Sequence, residues 1–165
     1  KAYGIDIAEN MVNSATENSK NYSNTEFLVS DFSKTPFNDN FFDVTLSVES
    51  IYYCEDMLET VKEVKRTLKK GGQFYCITYF FKEHYNSEVW ADYVPLKMHY
   101  LSENEYKELF TNAGLSDIYT KRILDPRPVD RENFKPRWGY NTVEELINFK
   151  ENIGALLVVG TNADR

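Results

Sequence analysis

At 165 residues the chain is long enough for one domain with a real core and too short to expect two. Hydrophobic residues make up 42% and charged ones 27%, an ordinary globular composition, while 26 acidic against 19 basic side chains leave a net charge of −7. That balance argues against a partner gripped by its phosphates, so no nucleic acid is expected.

Residues 2–7, AYGIDI, predict a buried strand ending in an acid. At such an end of a nucleotide-binding α/β unit, Asp6 is placed to accept hydrogen bonds from ribose hydroxyls, with Ile7 beside it to pack on adenine. Capping of the following helix is the plainer role for Asp6. That helix, over 9–20, carries Met11, Val12 and Ala15 at helical spacing and dissolves into Asn- and Ser-rich turn residues.

The next strand, 27–29, stops at Ser30-Asp31-Phe32. Asp31 can accept from an adenine amino group while Phe32 offers an apolar contact, although a plain Asp turn beside a core Phe fits equally. A turn cluster at 36–40 leads to a strand at 41–46 that stops at Ser47-Val48-Glu49. Ligands of open α/β sheets bind outside the carboxyl ends of parallel strands, so both strands deliver polar and aromatic residues to one edge.

After the aromatic turn Ile51-Tyr52-Tyr53 comes the clearest helix. Asp56 caps it with Glu59 three residues on, and Leu58, Val61, Val64 and Leu68 share one face. Lys65, Arg66, Lys69 and Lys70 load its last turns, and Gly71-Gly72 is expected to end it. Residues 73–81 read as a strand apolar on both faces, and 82–100, with His84, Trp90, Tyr93 and His99, lack a clear period. Ser102 and Glu105 open a second boxed helix that stops at Gly114. Then come a strand at 115–123, an irregular Pro- and charge-rich excursion at 125–138, a short helix at 142–149 and a last strand at 154–160.

Cys54 and Cys76 are the only cysteines, and no close Cys/His cluster surrounds either. A metal site and a disulfide framework are therefore not expected, and a reduced, cytoplasmic setting fits best. No apolar run approaches membrane-spanning length and residues 1–10 carry no signal-peptide pattern, so no membrane partner is expected. Aromatic residues reach 15%, with 12 Tyr and 11 Phe, which suits an aromatic-lined pocket or a Tyr-rich core.

Together, YGIDIAENMV (3–12), FLVSDFSKTPFNDNFFDVTLS (27–47), the helix ending in LKKGG (68–72) and the terminal ALLVVGT (155–161) form a recognisable order. The chain resembles the class I S-adenosylmethionine-dependent methyltransferases, specifically their small-molecule type 11 branch. The resemblance implies a single-domain α/β, Rossmann-like three-layer sandwich, with a mostly parallel sheet and an antiparallel hairpin made by 115–123 and 154–160. By the same resemblance S-adenosyl-L-methionine is the cofactor, Asp6 holds the ribose hydroxyls, Ile7 flanks the adenine, Asp31 and Phe32 hold its amino group and face, and Ser47 and Val48 lie near the methionine part.

Two features depart from the family. The glycine-rich loop of the family's first strand is absent, so the domain is expected to be N-terminally incomplete, a fragment that binds cofactor poorly. With the first strand and helix missing, the strands ending at Asp6 and Ser47 are expected to keep unpaired inner edges. In addition, Ile51-Tyr52-Tyr53 stands where relatives often place His.

Methyl transfer is an in-line displacement in which orientation supplies much of the rate, so no catalytic motif is required. Tyr52, Tyr53, Tyr79, Trp90, Tyr93 and His99 are the candidates for contact with a small-molecule acceptor, because they follow strand ends or lie in 82–100. His99 can serve as a base near neutral pH, though a surface histidine is the plainer reading. An inactive cofactor-binding subunit is the alternative function, followed by an NAD-dependent dehydrogenase, which Asp31-Phe32 disfavours. Oligomerisation is left open.

Overall fold

The structure, a computed structural model, describes residues 1–163. Its elements follow as β1 (Ala2–Asp6), α1 (Glu9–Asn18), β2 (Thr25–Val29), β3 (Phe42–Val48), α2 (Met57–Thr67), β4 (Leu68–Thr78), α3 (Glu103–Asn112), β5 (Ser116–Ile123), α4 (Val143–Asn148) and β6 (Ala155–Thr161). Short 3-10 stretches lie at Ile51–Tyr53 and Tyr85–Tyr93, and a π turn at Phe149–Ile153.

The α/β alternation and the antiparallel C-terminal pair are as expected. β1 and β2 run parallel with Asp6 opposite Val29, and β3 and β4 run parallel with Ser47 opposite Cys76. β6 then lies antiparallel between β4 and β5, giving the order β3-β4-β6-β5. The strands are therefore mixed in direction, and they form two sheets. Among the described residues β1 pairs only with β2 and β3 only with β4. What ties the two sheets together is an aromatic knot: the Tyr3 ring of β1 meets Phe37, Phe41 and Phe42 edge-on at 5.3, 5.4 and 5.8 Å.

The core sits where α2 and α3 cover the larger sheet. Val61, Leu68, Phe74, Phe110, Leu156 and Val158 are fully buried, and Phe74 stacks on Phe110 at 5.1 Å. Burying side chains of this size removes them from water at about 1.5–3 kcal/mol each, which is what holds the sheet to the helices.

Local signals placed the helix starts correctly. The Asp56 carboxylate accepts from the Glu59 amide at 3.0 Å, and Ser102 and Glu105 form a reciprocal capping box. The end of α2 differs from expectation. The helix stops at Thr67, and Leu68 turns extended at φ −74° and ψ 133°, because its side chain fills the core and it pairs with Phe42 of β3. Lys69 thus belongs to β4, where it pairs with Asp43. Asn162 takes over the helix end, donating from Nδ2 to the Leu68 carbonyl at 2.8 Å. Gly71, at φ 75°, serves the entry of the strand and not a helix cap.

Candidate active site

The carboxyl ends of β1 and β2 meet at one edge. The Ser30 amide donates to the Asp6 carbonyl at 3.0 Å, continuing the β1–β2 pairing one residue beyond the strand, so Asp6-Ile7 and Asp31-Phe32 emerge side by side. Asp6 Oδ1 accepts from the Ala8 amide at 2.8 Å, a local turn. The N-cap of α1 is Ala8, without a side-chain cap, so Asp6 does not fill the capping role. Asp31 Oδ1 likewise accepts from the Ser33 amide at 2.8 Å, so the plain Asp turn is present. Each carboxylate uses one oxygen in its own turn, and among the described residues no donor reaches the other. Ile7 is 72% exposed, a bare apolar side chain at the rim, and Phe32 is half-buried against the core.

Ser47 and Val48 end β3, on the other sheet. The Ser47 hydroxyl lies 2.8 Å from that of Ser50, and Val48 is half exposed. No ladder joins them to Asp6. The structure therefore brings four of the six cofactor-side candidates to one strand-end edge and leaves Ser47 and Val48 on the other sheet.

Immediately after Val48, Glu49 takes a left-handed backbone, φ 53°, and folds its carboxylate over the tip of β4. Oε1 accepts from the Tyr79 amide at 2.5 Å and Oε2 from the Tyr52 hydroxyl at 3.0 Å. Burial pushes this carboxyl above the ordinary glutamate range, against the pull of both hydrogen bonds. Sequence reasoning passed over Glu49 as the end of a strand. The signal available was an acid at a strand's carboxyl end.

The acceptor-side candidates divide by what their polar atoms already do. Tyr52 is buried and spends its hydroxyl on Glu49, and burial together with that charge raises its phenol far above the usual value. Trp90 donates its indole N–H to the Trp138 carbonyl at 2.8 Å. His99 Nε2 lies 2.9 Å from the Cys54 carbonyl, which can only accept, so that nitrogen donates. Tyr79 is half-buried against Phe149, whereas Tyr53 and Tyr93 are 39% and 69% exposed. The rings of Tyr52 and Tyr53 lie 4.5 Å apart, next to Phe80. His84, noted in the sequence only as one member of an aperiodic stretch, is instead fully buried beneath this edge. Among the described residues no group of three or more His, Cys, Asp or Glu could hold a metal ion, and no helix is long and apolar enough to cross a membrane.

Comparisons with known proteins converge on one family. A family model described as a methyltransferase domain matches residues 1–76. The chain is 29% identical over 140 residues to a demethylmenaquinone methyltransferase of Staphylococcus saprophyticus, covering 70% of this chain and 59% of that protein. It is 26% identical over 157 residues to phosphoethanolamine N-methyltransferase 3 of Arabidopsis thaliana, covering 87% of this chain and 32% of that one. The chain thus spans only about a third to three fifths of these curated relatives. Among solved structures, it matches one from the complex of the Haloferax volcanii Trm112 methyltransferase activator with the protein described as a methyltransferase. That match has a TM-score of 0.87 and 32% identity, over 99% of this chain and 72% of the other. The edge described above, with its paired acids at two adjacent strand ends, is therefore that of a chain belonging to the class I S-adenosylmethionine-dependent methyltransferases of the type 11 family.

Proposed function

We propose that this chain provides the cofactor-binding edge of an enzyme that transfers a methyl group from S-adenosyl-L-methionine to a small organic acceptor. The observation that carries the reading is the register Asp6 opposite Val29, which sets two half-free carboxylates and two apolar side chains at one strand-end ledge. The residues fit an adenosine group. Asp6 offers an open oxygen to the ribose hydroxyls, Ile7 and Phe32 offer apolar faces to the base, and Asp31 accepts from its amino group. Ser47 and Val48 face the methionine end from β3. When bound, the cofactor supplies an electrophilic methyl carbon on a positively charged sulfur.

The protein's part is to orient the acceptor and exclude water. Tyr53, Tyr79, Tyr93 and the open Nδ1 of His99 are free to contact the acceptor. Tyr52 and Trp90 shape the wall behind them, because their donors are already spent. The relatives' names support methyl acceptors ranging from a quinone to an amine, and a small organic molecule is their common denominator.

A second reading, that activity requires a protein activator, draws on the Trm112 complex of the matched structure. It agrees with the unpaired sides of β1 and β3. Calorimetric titration with S-adenosylhomocysteine tests both, using the 165-residue chain, a form extended upstream by a glycine-rich strand and helix, and that extended form with a Trm112-type partner. Saturable binding by the extended form alone supports the first reading. Binding that needs the partner supports the second, and absence of binding in all three removes the methyltransferase proposal.

A further inference from the structure

The two tryptophans of the chain are joined by one hydrogen bond, from the Trp90 indole N–H to the Trp138 carbonyl at 2.8 Å. Trp138 sits in a tight hairpin turn. The Arg137 amide donates to the Tyr140 carbonyl and the Tyr140 amide to the Arg137 carbonyl, each at 3.0 Å, while Trp138 and Gly139 take φ 53° and 81°. Two successive left-handed residues are the signature of a type I′ turn, which favours Asn or Gly at both positions. Gly139 meets that demand. Trp138 does not, so a bulky residue is held here in a costly backbone conformation.

The turn is seated on the 84–90 stretch. Besides the Trp90 bond, the Asn86 side-chain amide donates to the Gly139 carbonyl at 2.9 Å, and the Tyr140 hydroxyl lies 2.7 Å from His84 Nε2. The fit leaves no room for a side chain, since a Cβ at Gly139 would overlap the Asn86 carbonyl oxygen. Upstream of the turn the chain is differently held: residues 126–139 form neither helix nor strand, and none of them is buried. Its base is tied by the Asp125 amide, which donates to the Lys150 carbonyl at 3.1 Å, and its tip by the buried Tyr140. Releasing Trp138 and Gly139 therefore breaks two hydrogen bonds, buries no less of the core and leaves both sheets intact, the properties of a segment that opens locally.

We propose that residues 126–139 are a strap latched at Trp138 and Gly139, and that release of this latch frees the Trp90 indole N–H, turning Trp90 from a wall side chain into a hydrogen-bond donor on the acceptor side. The placement on the acceptor side rests on the methyltransferase reading; the latch itself does not. Trp138 supplies the strain that favours opening, Asn86 and Trp90 the bonds that oppose it, and Tyr140 the anchor about which the tip turns.

Hydrogen exchange followed by NMR tests the latch on the 165-residue chain, which has only two indole N–H groups, and Trp138→Asn assigns them by leaving one. In wild type the Trp90 indole proton is expected to be better protected than that of the exposed Trp138 and less protected than the amides of β4 and β6, because the latch opens without the core. Gly139→Ala lowers the Trp90 protection about tenfold or more and leaves the β4 and β6 amides within about twofold. Trp138→Asn keeps the carbonyl and suits the left-handed backbone, so it raises that protection several-fold. Asn86→Ala removes one latch bond without a clash, lowers the protection several-fold and keeps the test open should Gly139→Ala fail to fold. Trp90 protection that follows the core amides through every variant, or that equals that of Trp138 in wild type, overturns the strap. The upstream-extended form then separates the two readings. Because Asp6-Ile7 and Asp31-Phe32 emerge from the other sheet, Gly139→Ala is expected to bind S-adenosylhomocysteine within about twofold of wild type. A loss of about tenfold would assign the strap to the cofactor and overturn its acceptor-side role. A latch that behaves as stated in a protein that binds no S-adenosylhomocysteine would remove the methyltransferase reading alone.

Discussion

The Nε2 of His84 lies 2.7 Å from the Tyr140 hydroxyl, joining two buried side chains 56 residues apart beneath the strand ends. Its other nitrogen, Nδ1, is 2.6 Å from the Tyr79 carbonyl, which can only accept. Nδ1 therefore carries a proton, and in the neutral ring that burial favours Nε2 accepts from the phenol, while Phe149 stacks on the ring at 4.1 Å. Burial lowers the His84 pKa from 6.5 to about 4, although the hydrogen bond to Tyr79 opposes the shift. Between those two values the unfolded chain binds a proton that the folded one refuses. Stability from this group is complete above about pH 6.5 and is lost as pH falls toward about 4, up to ~3 kcal/mol in all. Urea melts across that range are expected to show the slope in wild type and a flatter one in His84→Gln. An equal slope in both would place the acid sensitivity elsewhere.

The adjacent strand-end acids make separable predictions. Asp6→Ala removes charge-assisted hydrogen bonds to the ribose and is expected to weaken S-adenosylhomocysteine binding by about 1.5–3 kcal/mol. Asp31→Ala is expected to weaken the normal cofactor but to cost little against an analogue lacking the adenine amino group. Titrations with both analogues decide it, since equal penalties would take Asp31 away from the amino group.

What could be read from sequence is what depends on near neighbours. The caps at Asp56 and Ser102 are bonds over three residues, and the acids closing β1 and β2 sit where apolar runs end. The early end of α2 was not legible, because Leu68 leaves the helix for a partner, Phe42, that lies 26 residues earlier and is invisible to helical periodicity. The same holds for His84, whose burial depends on Tyr140 and Phe149 from the other end of the chain. Glu49 was hidden for the same reason: its carboxylate accepts from the Tyr79 amide, which lies 30 residues on and is brought to it only by packing.

Arg66 of α2 is expected to matter more than a partly exposed arginine ordinarily does. Its guanidinium grips both oxygens of Glu63 at 2.7 Å, Asp39 at 2.6 Å and the Phe37 carbonyl at 2.8 Å. The Glu63 carboxylate in turn accepts from the amide and hydroxyl of Thr35, and the Arg66 hydrogen bond above all holds its pKa down at about 2. This fork fixes the loop whose Phe37 and Phe41 clasp Tyr3, and so fixes β1 against β3. Lysine has the charge without the planar fork, so Arg66→Lys should cost about 1–2 kcal/mol in denaturant melts and weaken the near-ultraviolet signal of the aromatic knot. A loss under about 0.5 kcal/mol would mean that the phenylalanines hold the loop unaided.

Val44, Leu46 and Val48 alternate along β3 and are 56%, 60% and 50% exposed, a row of apolar side chains on a strand with one side unpaired. Such a strand invites pairing with another chain, and a charge placed in it discourages that. Because Leu46 touches little of the core, Leu46→Lys is expected to change the stability of the 165-residue chain by no more than about 0.5 kcal/mol, the range of an exposed substitution. Its self-association, followed by light scattering against concentration, should fall at the same time. A loss of about 2 kcal/mol or more would show instead that this row is covered within the folded chain, since only a buried leucine loses that much. Unchanged scattering with unchanged stability would mean that β3 is not where the chains meet.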